Sequence, residues 1–480
     1  MFSKAATESL MARIREGGKL RQSEKLNLII QLSIPSMLAQ ISNVLMFFID
    51  AAMVGSLGAE ASASIGLVES AGWLFGSLTS AAAVGFSVQT AHFIGANDFK
   101  NARRVMRHGY IFCLLFSLVL MAAAVGIAPY LPVWLHGEPG IRHDATVYFL
   151  IFGLAAPFFT LENLSSSMLK ASGDMRHPSA IAIVMCVLDV AFNFLFIFPT
   201  RPLHLLGLTF TMPGMGLGVA GAALGTCLAF IVTAVLLIYY AVFKSSILAW
   251  KLDDEPFRWD NTFIVKAMKI SAPMALQYAL MNGAQIVSTR IVAPLGNIAI
   301  AAHSFAITAE SLCYMPGYGI GDAASTLVGQ TYGAGRFRLC RSFAHLTVGM
   351  GMIVMAVMGL VMYVFAPEMI AVLSPVEQIR TLGAEVLRIE AFAEPFFAAS
   401  IVTYSAFVGA GDTLWPSVFN LGSMWFVRLT LAALLAPHYG LRGVWVAMAT
   451  ELTFRGMLFL LRLWKGRWLK YDEATAQTRA

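Results

Sequence analysis

Twelve apolar stretches follow one another along this chain, at residues 28–54, 61–94, 109–133, 146–169, 179–199, 217–243, 263–293, 299–331, 343–366, 384–409, 417–436 and 441–464. A helix needs about 20 apolar residues to cross a bilayer. Of the 480 residues 58% are apolar and only 12% charged, more apolar surface than a soluble fold can hide. The pattern predicts an all-α integral membrane protein with twelve transmembrane helices. It excludes disordered, collagen-like, disulfide-scaffold and ordinary cytosolic-enzyme readings. The net charge of +6 is spread over short loops, so no nucleic-acid partner is expected.

The positions of Lys and Arg test the span count. Twenty-six of the 33 fall before the first stretch, after the last or in its final turns, or in alternate connections and the first turns of the seventh stretch, as with Lys100, Arg103, Arg104 and Arg107. The other connections hold only Arg142, Arg201, Arg380 and Arg442. By the positive-inside rule both termini are expected in the cytoplasm. Residues 1–26 carry six basic residues and no apolar core, which reads as a basic tail and not a cleavable signal. The five cysteines (Cys113, Cys186, Cys227, Cys313 and Cys340) lack CxxC spacing and read as packing residues.

The chain is also duplicated. Pro35 in "SIPSMLAQ" matches Pro273 in "SAPMALQ", Gly95 matches Gly333, Pro157 matches Pro395, and "ASGDMRHPS" matches "GAGDTLWPS", all at an offset of 238. The first half then carries a longer loop, "TRPLHLLGLTFTMPGMG", after which Gly218 and Gly221 match Gly440 and Gly443 at 222. Six spans per copy put both halves in the membrane in the same direction, as parallel repeats of a transporter with a path between them. The expected organisation is a basic tail (1–26), a six-helix lobe (27–243), a polar linker (244–262), a second six-helix lobe (263–465) and a tail (466–480).

Polar groups inside spans are costly and mark function. In the first span Ser36, Gln40, Asn43 and Asp50 lie within an arc of about 80°, one polar stripe on an oily helix. Their repeat mates are Met274, Tyr278, Met281 and Ser288. Packing shared by both copies would have kept the acid, so Asp50 is assigned to cation coupling. Asp189 and Asn193, four apart, share a face of the fifth span. Arg290 with Glu310 or Glu394 is expected to form a structural or gating pair, and His303 reads as a packed histidine. No Walker A sequence, HExxH or catalytic triad is present, so no enzyme and no cofactor are expected.

"SIPSMLAQISNVLMFFIDAAMVGSLG" resembles the first-helix signature of the MATE multidrug exporters. "GANDFKNARR", "GVAGAALGT", "STLVGQTYGAG" and "GAGDTLWP" resemble the family's loop and helix-end motifs. The resemblance covers about 27–465 and implies two lobes in a V and cation-coupled export of amphipathic, often cationic compounds by alternating access. It also implies a cation site completed by an Asn and an Asp on the fifth span, and a hydroxyl that falls on Thr226. Here the order is reversed, with Asp189 where Asn is expected and Asn193 where Asp is. Another branch uses acids on spans 7 and 10. Met281 and Asn282 stand near the first of those positions, and Glu390 and Glu394 lie close to the start of span 10, which favours the DinF-like branch.

The expected function is therefore a secondary active multidrug efflux antiporter in the bacterial inner membrane, working as a monomer among membrane lipids and exchanging small-molecule drugs or toxic metabolites for H+ or Na+. Carboxylate, amide and hydroxyl oxygens at Asp50, Asp189, Asn193 and Thr226 suit Na+, and two close acids can also hold a proton between them. The expected motion is a repacking of the first helix, with a kink at Pro35. The alternative is a flippase of lipid-linked precursors or polysaccharides in the same superfamily.

Overall fold

The computed structural model describes residues 4–205, 208–253 and 256–469. The first lobe holds α2 (Gln22–Gly55), α3 (Ala59–Gly95), α4 (Phe99–Ile127), the single turn α5 (Leu131–Trp134), α6 (Pro139–Leu154), α7 (Ala156–Ala171), α8 (Arg176–Ile197) and α9 (Gly218–Tyr239), preceded by α1 (Lys4–Arg15). The second holds α10 (Asn261–Val292), α11 (Asn297–Gly333), α12 (Phe337–Leu373), α13 (Glu377–Ala391), α14 (Glu394–Gly409), α15 (Leu414–Gly422), α16 (Leu429–Tyr439) and α17 (Leu441–Lys465). Among the described residues nine spans are long and apolar enough to cross a membrane, and two bent pairs raise this to eleven. The twelfth is α10, which Gln277, Asn282 and Gln285 make less apolar.

Backbone geometry repeats with the sequence. Left-handed φ angles occur at Gly58 and Gly296, at Asn97 and Gly335, and at Gly173 and Gly411, three pairs 238 apart. They recur at Gly218 and Gly440, 222 apart. These are the turns between spans, where a residue free of Cβ strain, or Asn, is needed. The bent spans repeat too. Pro157 and Pro395 sit in the first turns of α7 and α14, where a ring that cannot accept the preceding helix bends α6 against α7 by 46° and α13 against α14 by 59°. By contrast α2 runs through Pro35 as one helix from Gln22 to Gly55.

Two segments depart from the sequence reading. The longer loop of the first half is an antiparallel hairpin, β1 (Pro199–Leu205) and β2 (Leu208–Met215), pairing Arg201 with Met212 and Leu203 with Phe210. Arg201 lies over the rings of Phe194 and Phe198, 4.6 and 4.0 Å from their centroids, tying the hairpin to α8. The basic tail contains the packed helix α1, whose Thr7, Leu10, Met11 and Ile14 are buried at helical spacing. The linker docks on α4, where the Asp260 N–H donates to His108 Nε2 at 2.9 Å. Of the tail expected over 466–480, residues 470–480 lie outside the described residues. All five cysteines are free and buried.

The lobes meet near the loops rich in Lys and Arg, called here the basic end. The first helix of each half leans on the second helix of the other, α2 on α11 and α10 on α3. Where α3 crosses α11, a Cβ on Gly95 would strike the Gln330 backbone, and one on Gly333 would strike that of His92. His92 and Gln330 are themselves 238 apart. The His92 ring donates from Nε2 to the Gly409 carbonyl, and the Gln330 amide to the Ala171 carbonyl, both at 2.8 Å. A Gly95→Ala chain should therefore unfold at lower temperature in detergent, by the equivalent of about 1–3 kcal/mol, the usual cost of overpacking.

Candidate coupling site

Four residues named from the sequence converge inside the first lobe. The Asn193 amide on α8 donates to Asp50 Oδ1 on α2 at 2.9 Å, to Asp189 Oδ2 at 3.2 Å and, more weakly, to Thr226 Oγ1 on α9 at 3.5 Å. Asp189 and Asn193 are buried and Asp50 is half-buried. The reversed Asp–Asn order is accommodated because residues four apart on α8 both face α2 and α9. The fit is tight, since a Cβ on Gly225 would run into the Asn193 side-chain oxygen. Only glycine lets α9 come this close.

The layer is thin. On one side lie Met46, Met185, Cys186 and Ala229, and on the other Met53, Val54, Ile197 and Ala222. Each of the three helices thus carries apolar residues about one turn to either side of its polar group. Two oxygens in the layer, Asp189 Oδ1 and Asn193 Oδ1, are buried without a hydrogen-bond partner among the described residues. Such an arrangement has acceptors to spare and lacks positive charge, and it fits a small cation or a proton.

The rest of the stripe on α2 does not face this layer. Asn43 accepts from the Cys186 thiol at 3.3 Å, and Gln40 is half-buried. Ser36 donates across the lobe boundary to Asp322 Oδ2 on α11 at 2.5 Å. The reason is geometric: α2 lies between α8 and α11, and the stripe drifts about 40° from Ser36 to Asp50, so it passes from one neighbour to the other.

In the second lobe the corresponding helices carry an ion pair instead. Arg428 ends a π-helical stretch, Ser423–Arg428, and reaches Glu451 on α17 at 2.7 Å. Arg455 approaches the other Glu451 oxygen at 3.1 Å. The pairing expected for Arg290 is not formed, since Arg290 is exposed at the end of α10 and has no ion pair among the described residues. Glu310, Glu390 and Glu394 are buried, and none of the four carboxylate oxygens of Glu390 and Glu394 finds a hydrogen-bond partner there. His303 accepts from the Trp445 indole at 3.0 Å, a packed role. The partners of Ser36 and Arg428 were missed because each pair joins residues distant in the chain. The repeat could have flagged Asp322, whose mate is Val84.

The MatE family model matches residues 35–195 and 273–434. The chain is 26% identical over 445 residues to "Probable multidrug resistance protein NorM" of Thermotoga maritima, covering 92% of this chain and 93% of that one. It is 28% identical over 441 residues to the protein of the same description from Pseudomonas aeruginosa, covering 88% and 86%. Among solved structures it resembles an outward-facing conformation of a multidrug resistance MATE family transporter of the MOP superfamily, with TM-score 0.85, 19% identity and coverage of 97% and 99%. It also resembles a MOP superfamily transporter from Pyrococcus furiosus, with TM-score 0.86, 19% identity and coverage of 98% and 100%.

Proposed function

We propose that this chain, which belongs to the MatE family, is a secondary active multidrug efflux antiporter that couples drug export to a cation bound in the first lobe. The observation that carries the coupling assignment is the buried layer of Asp50, Asp189, Asn193 and Thr226, with two unpartnered oxygens and no basic side chain hydrogen-bonded to it among the described residues. The second lobe neutralises Glu451 with two arginines, so its ion pair is already compensated. The DinF-like branch is favoured on the same ground. Multidrug relatives covering nine-tenths of the chain do not favour the flippase alternative.

The basic end is taken as cytoplasmic by the positive-inside rule. The chain then sits in the inner membrane of a bacterium with both termini inside, and it works as a monomer. The inter-lobe bonds of His92, Gln330 and Ser36 all lie toward that end. Leu45, Phe47, Ile49 and Trp73, in the other halves of α2 and α3, are exposed. The inter-lobe bonds at the basic end support a reading in which the cytoplasmic side is closed and the site loads from outside. Neutralising the two acids lowers the cost of burying them, so α2 can pack more tightly on α8 and α9 and bend at Pro35, narrowing the drug space.

Ethidium or norfloxacin efflux from proteoliposomes identifies the ion. Dependence on an imposed pH gradient and loss with a protonophore assign H+; dependence on a Na+ gradient assigns Na+. Efflux that ignores both gradients would remove the antiporter reading.

A further inference from the structure

One carboxylate outside the coupling layer joins three helices from both lobes. Asp322 Oδ2 on α11 accepts from Lys170 Nζ at the end of α7, at 2.8 Å, and from Ser36 Oγ on α2, at 2.5 Å. Both charged side chains keep partial contact with solvent, at 25% and 29% exposure, so the pair is neither locked in the core nor free on the surface. Below it α11 continues the contact at four-residue spacing. The Thr326 hydroxyl donates to the Lys170 carbonyl at 2.9 Å, and the Gln330 amide to the Ala171 carbonyl at 2.8 Å. Residues four apart share a helix face, so Asp322, Thr326 and Gln330 form three rungs against the last turn of α7, where carbonyls lack partners within their own helix.

The repeat shows how unusual this is. On the opposite side of the seam the mates of Asp322 and Thr326 are Val84 and Val88, which pack with Ile270, Met274 and Val408. Only the third rung is kept there, as His92 on the Gly409 carbonyl. That side is held by neutral bonds to α10, from the Gly85 N–H to Ser271 Oγ at 3.0 Å and from the Gln89 amide to the Phe263 carbonyl at 2.8 Å; the charged pair of Asp322 and Lys170 is replaced there by Val84 and Val408. Ser36 lies fourteen residues from Asp50, about 21 Å along the same helix. A Cβ on Gly319 would collide with the Met37 backbone, so glycine there lets α2 approach closely enough for the hydroxyl to reach Asp322.

We propose that Lys170 and Asp322 are the gate that holds the lobes together at the basic end, and that Ser36 makes the gate respond to the helix carrying Asp50. A shift of α2 withdraws a hydrogen bond from Asp322, and a shift of α11 away from α7 breaks all three rungs together. These are positioning residues; none touches the coupling layer. The proposal rests on the alternating-access reading above only for the direction in which the gate opens.

The test is a distance between the lobes. Spin labels attached through unnatural amino acids at Lys100 and Arg338, both exposed in the first turns of α4 and α12, report separation at the basic end while the native cysteines stay in place. Asp322→Asn and Lys170→Gln should each raise the population of the wide state about fivefold. Ser36→Ala should shift it the same way by less, and the exchange Lys170→Asp with Asp322→Lys should restore the narrow state. Unchanged distances in both neutral variants, or an exchange that stays wide, would overturn the gate. No drug or ion gradient is present, so the distances report on the gate whether or not the chain exports drugs. A chain that gates as expected but exports nothing counts against the antiporter reading alone.

Discussion

Asp50→Asn is expected to leave the chain folded and inserted while drug efflux falls to the level of vesicles without protein. Asparagine keeps the shape of the side chain and an oxygen that can still accept from the Asn193 amide, at 2.9 Å in the native site. What it removes is the ability to change charge. The layer then carries one acid in place of two, and binding a cation no longer alters the balance between buried negative charge and the packing of α2. Melting temperature in detergent and gradient-driven efflux of ethidium measure the two sides of the claim. Normal efflux by this variant would remove Asp50 from the coupling step. Ser288→Asp, at the repeat mate of Asp50 on α10, should not rescue it, because α10 faces different neighbours.

The largest loss of stability is expected from Glu451→Ala. Glu451 is fully buried and lies against two arginines, Arg428 at 2.7 Å and Arg455 at 3.1 Å. Removing it leaves two like charges facing each other with little solvent. Breaking one partner of a buried pair costs about 3–5 kcal/mol, more than most single substitutions. Thermal unfolding in detergent should show that loss, and replacing Arg428 with Met in the same chain should recover part of it. Efflux by whatever fraction remains folded should stay ion-dependent, which separates this scaffold role from that of Asp50.

The spans and the duplication were legible because both are written in local composition. A helix that crosses lipid needs a long apolar run wherever it packs, and a turn that needs a left-handed backbone keeps Gly or Asn in both copies. The 238 offset found in "ASGDMRHPS" and "GAGDTLWPS" reappears as matched φ angles at Gly173 and Gly411. The hairpin of residues 199–215 was not legible, because strands of seven and eight residues interrupted by Pro202 and Pro213 look like a loop. Helix α1 was hidden by its charge, although Thr7, Leu10, Met11 and Ile14 carry the helical period. The four residues of the candidate coupling layer were picked out by type and by resemblance, and the structure brings the other three within hydrogen-bonding reach of Asn193. Their separation from Ser36, which turns to the other lobe, depends on how α2 is wedged between α8 and α11. That is a tertiary fact with no local signature.

The paired bonds of His92 to Gly409 and of Gln330 to Ala171 carry a consequence for symmetry. In each bond a side chain of one half meets the carbonyl of the other, and the two donors and the two acceptors are equivalent positions of the duplicated segment. That reciprocity is the rule of an isologous contact between identical subunits. A lone six-helix half would already carry both partners of its own interface. The molecule thus has the contact geometry of a two-fold dimer, with both protomers supplied by one chain.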